Sequence, residues 1–152
     1  MNQTIRFIKL RPDAIAPKYA HDGDAGLDLH ACFELMAGYE GLDVQVGDPP
    51  VLIDTGIAIE LPRGFQAEVR PRSGWSKRGL WVPVGTIDCT YRGSIGVIVS
   101  SVHGCHVVKP GDRIAQLVIS RVETVTLIES AGLSQTARGS RGFGSTGTGV
   151  DT

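Results

Sequence analysis

Phe65-Gln66-Ala67-Glu68-Val69-Arg70 places Phe65, Ala67 and Val69 on one side of an extended chain and Gln66, Glu68 and Arg70 on the other. Such strict alternation is the mark of a half-buried strand, because successive side chains of extended backbone point to opposite faces. Short apolar or alternating runs of the same kind recur at Ile5–Leu10, Val51–Leu61, Ser94–Val102, Arg113–Ile119 and Val122–Ile128. Turn chemistry separates them: Leu61-Pro62-Arg63-Gly64, Arg92-Gly93 and Lys109-Pro110-Gly111-Asp112. A helical period is nearly absent, and one short helix is expected over Gly74–Arg78, with Ser73 as its N-cap. The pattern predicts an all-β chain, a jelly-roll-like barrel or sandwich with one short helix. Gly38–Pro50 carries Glu40, Asp43 and Asp48 among glycines and prolines, and reads as a loop or irregular hairpin.

The 152 residues suit one domain, and 41% hydrophobic with 20% charged residues describe a folded chain. Fifteen Lys and Arg against sixteen Asp and Glu leave a net charge of −1, which argues against a nucleic-acid coat. No apolar run approaches the ~18 residues that cross a bilayer, and Met1–Lys9 has no signal-peptide pattern. Cys32, Cys89 and Cys105 form no paired framework, so an intracellular, cytoplasmic setting without membrane is expected. Twenty residues are glycine, against a usual ~7%, and from Arg138 onward the chain reads RGSRGFGSTGTGVDT. The expected organisation is a β domain over 1–137 followed by a mobile arm over 138–152.

Several segments carry chemistry. In the arm, glycine-built anion nests, Arg138, Arg141, Ser145 and Thr146 suit phosphate oxygens, and Phe143 suits a planar ring; a frayed terminus is the plain alternative. Arg72-Ser73-Gly74 follows a strand within a basic stretch, either a phosphate site or a solvated turn. Asp88, between Ile87 and Cys89 with Tyr91 three residues on, is either a base for water or a hairpin carboxylate. Asp28 poses a choice between a turn residue and a ligand for a hard cation, and Gln116 between an amide donor and a solvent-facing strand residue. His103-Gly104-Cys105-His106 has no second cluster to complete a zinc site, and reads as a loop.

Taken in order, AGLDLHA (25–31), RPRSGWSKRG (70–79), GTIDCTYRG (85–93), GDRIAQLVI (111–119) and RGSRGFGSTG (138–147) resemble the five motifs of the trimeric deoxyuridine triphosphate nucleotidohydrolases, or dUTPases. The resemblance implies a homotrimer with active sites shared between subunits, and Mg2+-assisted hydrolysis of dUTP to dUMP and pyrophosphate. Such a reaction limits uracil incorporation into DNA and supplies dUMP for dTMP synthesis. By the same resemblance Asp88 activates the water that attacks the α-phosphorus, and Tyr91 packs on the deoxyribose. Backbone around Gly85 and Ile87 reads uracil. Arg72, Ser73, Gly74 and Gln116 hold phosphate oxygens, and Asp28 holds Mg2+ through water. Phe143 covers the base while Arg138, Gly144, Ser145 and Thr146 surround the γ-phosphate.

Three departures stand out. Val82 occupies a position where many bacterial relatives carry a uracil-binding Asn, Arg141 replaces a usual Gly, and the 38–50 segment is longer than in compact relatives, either a neutral insertion or, being acidic, an outer-surface protein-partner site. A dCTP deaminase of the same fold is disfavoured by Ile98, which stands where that branch needs a glutamate. A module that keeps the fold only to bind a partner is disfavoured by the intact Asp88, Tyr91 and arm.

Overall fold

The computed structural model describes residues 4–141. In chain order its elements are β1 (Arg6–Lys9), β2 (Leu27–His30), β3 (Leu42–Gln45), β4 (Val51–Asp54), β5 (Ile57–Glu60), β6 (Phe65–Pro71), α1 (Ser73–Arg78), β7 (Leu80–Trp81), β8 (Gly85–Ile87), β9 (Gly96–Ser101), β10 (Cys105–Val108) and β11 (Arg113–Arg121). The expected all-β architecture with one short helix is therefore present. Its strands form four small antiparallel sheets rather than a closed barrel: β2-β11-β6-β8, β4-β9-β7, β1-β5 and β10-β3. All enclose one core, in which Leu29, Ile53, Ile57, Leu80, Ile95, Ile114 and Leu117 are fully buried. None of the helices among the described residues is long and apolar enough to cross a membrane.

β6 behaves as its alternation predicts. Ala67 and Val69 enter the core while Arg70 faces solvent. It is paired on both sides, with β11 (Leu117 opposite Val69) and with β8 (Ile87 opposite Ala67). Among the described residues β8 has no further neighbour, so its outer backbone edge is open.

Three local expectations are corrected. Gly38–Pro50 is not all loop, because Leu42–Gln45 pairs with β10 and buries Val44, Val46 bridges to Ser101, and Glu40 faces Lys109 at 3.9 Å. The N-cap of α1 is Arg72, in extended conformation and without a side-chain cap bond, so Ser73 begins the first turn instead. The helix ends on Gly79 at φ 97°, a left-handed C-cap that glycine adopts without steric cost. Finally, Val122–Ile128 forms no strand. β11 runs on to Arg121, and the chain then leaves the body with Val125, Leu127, Ile128 and Leu133 at 74%, 92%, 85% and 94% exposure. The apolar pattern is real, but no strand edge of the same chain receives it.

Candidate active site

Two cavities contain nearly all of the expected site residues of the body, and no residue lines both. The first, about 480 Å³, is polar and lies where the end of β6 and the start of α1 meet β2 and β11. Arg72, Ser73, Gly74, Gln116 and Asp28 all line it. Gln116 donates from Nε2 to the Pro71 carbonyl at 3.0 Å, which leaves its second amide hydrogen for a ligand. Close approach of Gly26 permits this pose, since a Cβ there would stand 2.7 Å from Gln116 Oε1.

The second cavity, about 220 Å³, lies along the open edge of β8. Gly85, Ile87, Asp88 and Tyr91 line it with Ser94. The Tyr91 hydroxyl donates to the Ser94 carbonyl at 3.0 Å, and Gly93 leaves room for the ring, because a Cβ there would come within 2.6 Å of Tyr91 Cζ. Asp88 is exposed, its backbone carbonyl accepts the Tyr91 N–H at 3.0 Å, and among the described residues its carboxylate accepts no hydrogen bond. Val82 is buried in the core at 2% exposure.

The separation of the two cavities is set by β6. Ile87 lies opposite Ala67, and Arg72 stands five residues further along extended chain, about 17 Å at ~3.3 Å per residue. One chain therefore does not unite Asp88 with Arg72.

Asp28 meets two of the chain's own cations, which bears on direct coordination of a metal and not on the expected contact through water. It is buried at 7% exposure, and its two oxygens each meet a guanidinium, Arg72 Nε at 3.2 Å and Arg113 Nη1 at 3.2 Å. A cation placed directly on this carboxylate would face two positive groups. Among the described residues no cluster of three or more metal-ligating side chains exists. The donor set thus does not fit a metal cage. Beside it, His30 is buried with Nδ1 unpartnered; burial holds its pKa below the ordinary imidazole value, Asp28 opposing and Arg113 adding to the depression.

Sequence reasoning missed Arg113 and Trp75 as cavity residues. Trp75 Nε1 donates to the Arg113 carbonyl at 2.9 Å and its ring carries Arg78 at 4.0 Å, so the tryptophan anchors the basic wall. Arg138 and Arg141 lie exposed, their side chains donating to backbone carbonyls of the 137–141 turn. Phe143, Gly144, Ser145 and Thr146 lie outside the described residues. Ile98 stands on β9 with 47% exposure and lines neither cavity.

A polar, arginine-walled cavity and a smaller one edged by open backbone define a nucleotide-handling β protein. The sequence profile of the dUTPase family matches residues 12–147. The deoxyuridine 5'-triphosphate nucleotidohydrolase of Picosynechococcus sp. is 44% identical over 95% of this chain and 99% of its own length. That of Hydrogenobaculum sp. is 48% identical over 91% and 94%. Among solved structures, a Staphylococcus bacteriophage 80alpha dUTPase with dUpNHpp superposes with a TM-score of 0.85 at 25% identity, covering 97% of this chain and 100% of the other. The chain belongs to the dUTPase family, whose members are hydrolases acting on dUTP.

Proposed function

We propose that this chain hydrolyses dUTP to dUMP and pyrophosphate in a homotrimer whose active sites each join the β8 cavity of one subunit to the arginine cavity of a neighbour. The observation that carries the reading is the division of the motif residues into two cavities that share no lining residue, with Arg72 about 17 Å along β6 from the Ala67 that lies opposite Ile87. A neighbouring copy supplies what one chain keeps apart. The exposed apolar run Val125–Leu133 supports association, since side chains left 74–94% accessible gain by burial against another subunit.

In this reading the β8 backbone at Gly85 and Ile87 takes the uracil edge, and Tyr91 packs on the deoxyribose where a 2'-hydroxyl would collide. Asp88 orients a water and accepts its proton as the water oxygen bonds to the α-phosphorus and the bond to the bridging oxygen of the β-phosphate breaks. Pyrophosphate leaves. Arg72, Ser73, Gly74 and Gln116 hold the departing phosphates, which lowers the barrier because phosphoryl transfer demands charge stabilisation and in-line positioning. The 138–152 arm, with Arg138, Phe143, Gly144, Ser145 and Thr146, closes over the nucleotide and excludes water. Mg2+, when bound, would supply charge neutralisation of the triphosphate, with Asp28 holding it through water; a phage phi11 dUTPase of similar fold coordinates a structural Mg(II) ion. The product feeds dTMP synthesis, removal of dUTP limits uracil in DNA, and the setting is cytoplasmic.

The test is pyrophosphate release from dUTP, dTTP, dCTP and UTP, with and without Mg2+, by the wild type and by Asp88→Asn. Turnover is expected for dUTP alone, with the variant slowed about 100-fold or more, the usual worth of a positioned base. Asp88→Asn turnover above about a tenth of wild type would remove Asp88 from the catalytic role.

A further inference from the structure

The cavity at β8 has a wall that no motif residue builds. Ser94, Ile95 and Gly96 line it, and they follow directly on the turn that carries Asp88 and Tyr91. Within that turn the Tyr91 main chain is already fixed. Its N–H donates to the Asp88 carbonyl at 3.0 Å, and Arg92 Nη1 donates to the carbonyls of Cys89 and Tyr91, both at 2.7 Å. The tip of the ring is held differently. Among the described residues its hydroxyl has one hydrogen-bond partner, the Ser94 carbonyl at 3.0 Å. The direction of that carbonyl therefore decides where the ring stands.

Two bonds aim it. In a trans peptide the N–H of one residue points opposite to the carbonyl of the residue before. Ile95 N–H donates to the Ile57 carbonyl at 2.8 Å, and both residues are core members, so the Ser94 carbonyl is turned away from the core. Buried Thr55 closes the next peptide, its N–H and Oγ1 donating to the Ile95 carbonyl at 3.1 Å and 2.7 Å. A peptide held at its N–H can still tilt, and Gly93 gives the chain before it no stiffness of its own. The second bond removes the tilt: the Ser94 hydroxyl donates to Asp54 Oδ1, which also accepts the Gly56 N–H at 3.0 Å.

Asp54 ends β4 and is half-buried, yet among the described residues it forms no ion pair. Its charge serves the Ser94 hydroxyl and one turn N–H instead, and an ionised acceptor makes such bonds roughly twice as strong as a neutral one.

We propose that Asp54 and Ser94 are positioning residues for Tyr91: together they hold the carbonyl that fixes the ring, and so set how firmly the cavity rejects a 2'-hydroxyl. The proposal rests on the reading of Tyr91 against the deoxyribose. Both residues act through the ring and not on the reacting atoms.

The experiment compares kcat/KM for dUTP and UTP in the full chain and in Ser94→Ala, Asp54→Ala, Asp54→Asn, Tyr91→Phe and the Ser94→Ala/Tyr91→Phe pair, beside Tm. Ser94→Ala keeps the bond from Gly56 to Asp54 and every main-chain bond, so it removes one link alone. It is expected to lower the dUTP-to-UTP ratio about fivefold, the worth of one hydrogen bond. Tyr91→Phe should lower the ratio equally, and the double variant no further, because the two changes break one path. Asp54→Ala should match Ser94→Ala. Asp54→Asn should recover most of the ratio, since its amide oxygen accepts the same two bonds.

An unchanged ratio in Ser94→Ala, whatever its Tm, would overturn the proposal. A parallel fall for both substrates would overturn it too, since a wall that serves the fold alone produces that pattern, and so would losses that add in the double variant. Asp54→Asn losing as much as Ser94→Ala would remove Asp54 from the path, a comparison that stands even where Asp54→Ala fails to fold. A wild-type chain that turns over UTP as readily as dUTP, or neither, would instead sink the deoxyribose reading of Tyr91, and the proposal with it.

Discussion

Mixing two inactive variants gives the sharpest test of a site divided between subunits. Asp88→Asn spoils only the β8 cavity, and Arg72→Ala only the arginine cavity, because no residue lines both. Arg72→Ala also leaves Asp28 paired with Arg113, so the buried carboxylate is not stranded. Each variant alone should fall below about a hundredth of wild-type turnover, since each loses its base or a charge-stabilising donor. Co-expressed in equal amounts, the two chains assort at random into trimers. A working site then needs intact Asp88 from one subunit and intact Arg72 from the next, each present half the time. Activity should return to about a quarter of wild type in a cyclic assembly. The assay is pyrophosphate release from dUTP by the whole co-expressed population; trimers purified as mixed through two different tags each hold one intact site of three and should show about a third. If both cavities of one chain served the same substrate, no mixed trimer would contain an intact site. Mixed activity equal to that of the separate variants would therefore refute the division between subunits.

Gly93→Ala drives a methyl into the Tyr91 ring, and the flexible ring must swing away from Ser94. Loss of that hydrogen bond, worth about 1 kcal/mol, should cost roughly fivefold in dUTP over UTP preference, read from the ratio of kcat/KM values, with little change in Tm. Leu127→Asp with Ile128→Asp should dissociate the oligomer, as each buried aliphatic side chain contributes about 1.5–3 kcal/mol; light scattering that still reports the wild-type mass would refute an assembly held by the Val125–Leu133 run. The depressed His30 pKa means that the unfolded chain binds the proton more readily, so stability from neutral His30 is present above the ordinary value near 6.5 and falls as pH drops through it. His30→Gln should flatten the decline of Tm between pH 7 and pH 5.

What the sequence revealed followed its periodicities. β6 and the core residues Ala67 and Val69 were legible because alternation in Phe65–Arg70 is a local signal. Val44 was hidden because a four-residue strand flanked by Gly41 and Gly47 is too short to show a period, and it is held by β10, some sixty residues away. Val122–Ile128 shows the opposite failure. Its apolar pattern is as good as that of a core strand, but hydropathy does not say whose core receives it.

The same limit governed the site. Motif order named Arg72, Gln116, Asp88 and Tyr91 correctly as cavity residues, but linear order says nothing of distance across a strand. Arg113 stayed out of view because strand parity sends it to the face opposite Gln116, and only the register shift against β2 reverses that parity. The partners of Asp28 were out of view for a related reason. A lone carboxylate in a turn-rich stretch invites a cation, and the cations it meets are side chains forty-four and eighty-five residues further on, Arg72 and Arg113. A buried carboxylate whose two oxygens each face a guanidinium is stabilised as a charged group and holds both partners in place. Substituting it should therefore disturb phosphate binding before it disturbs any metal.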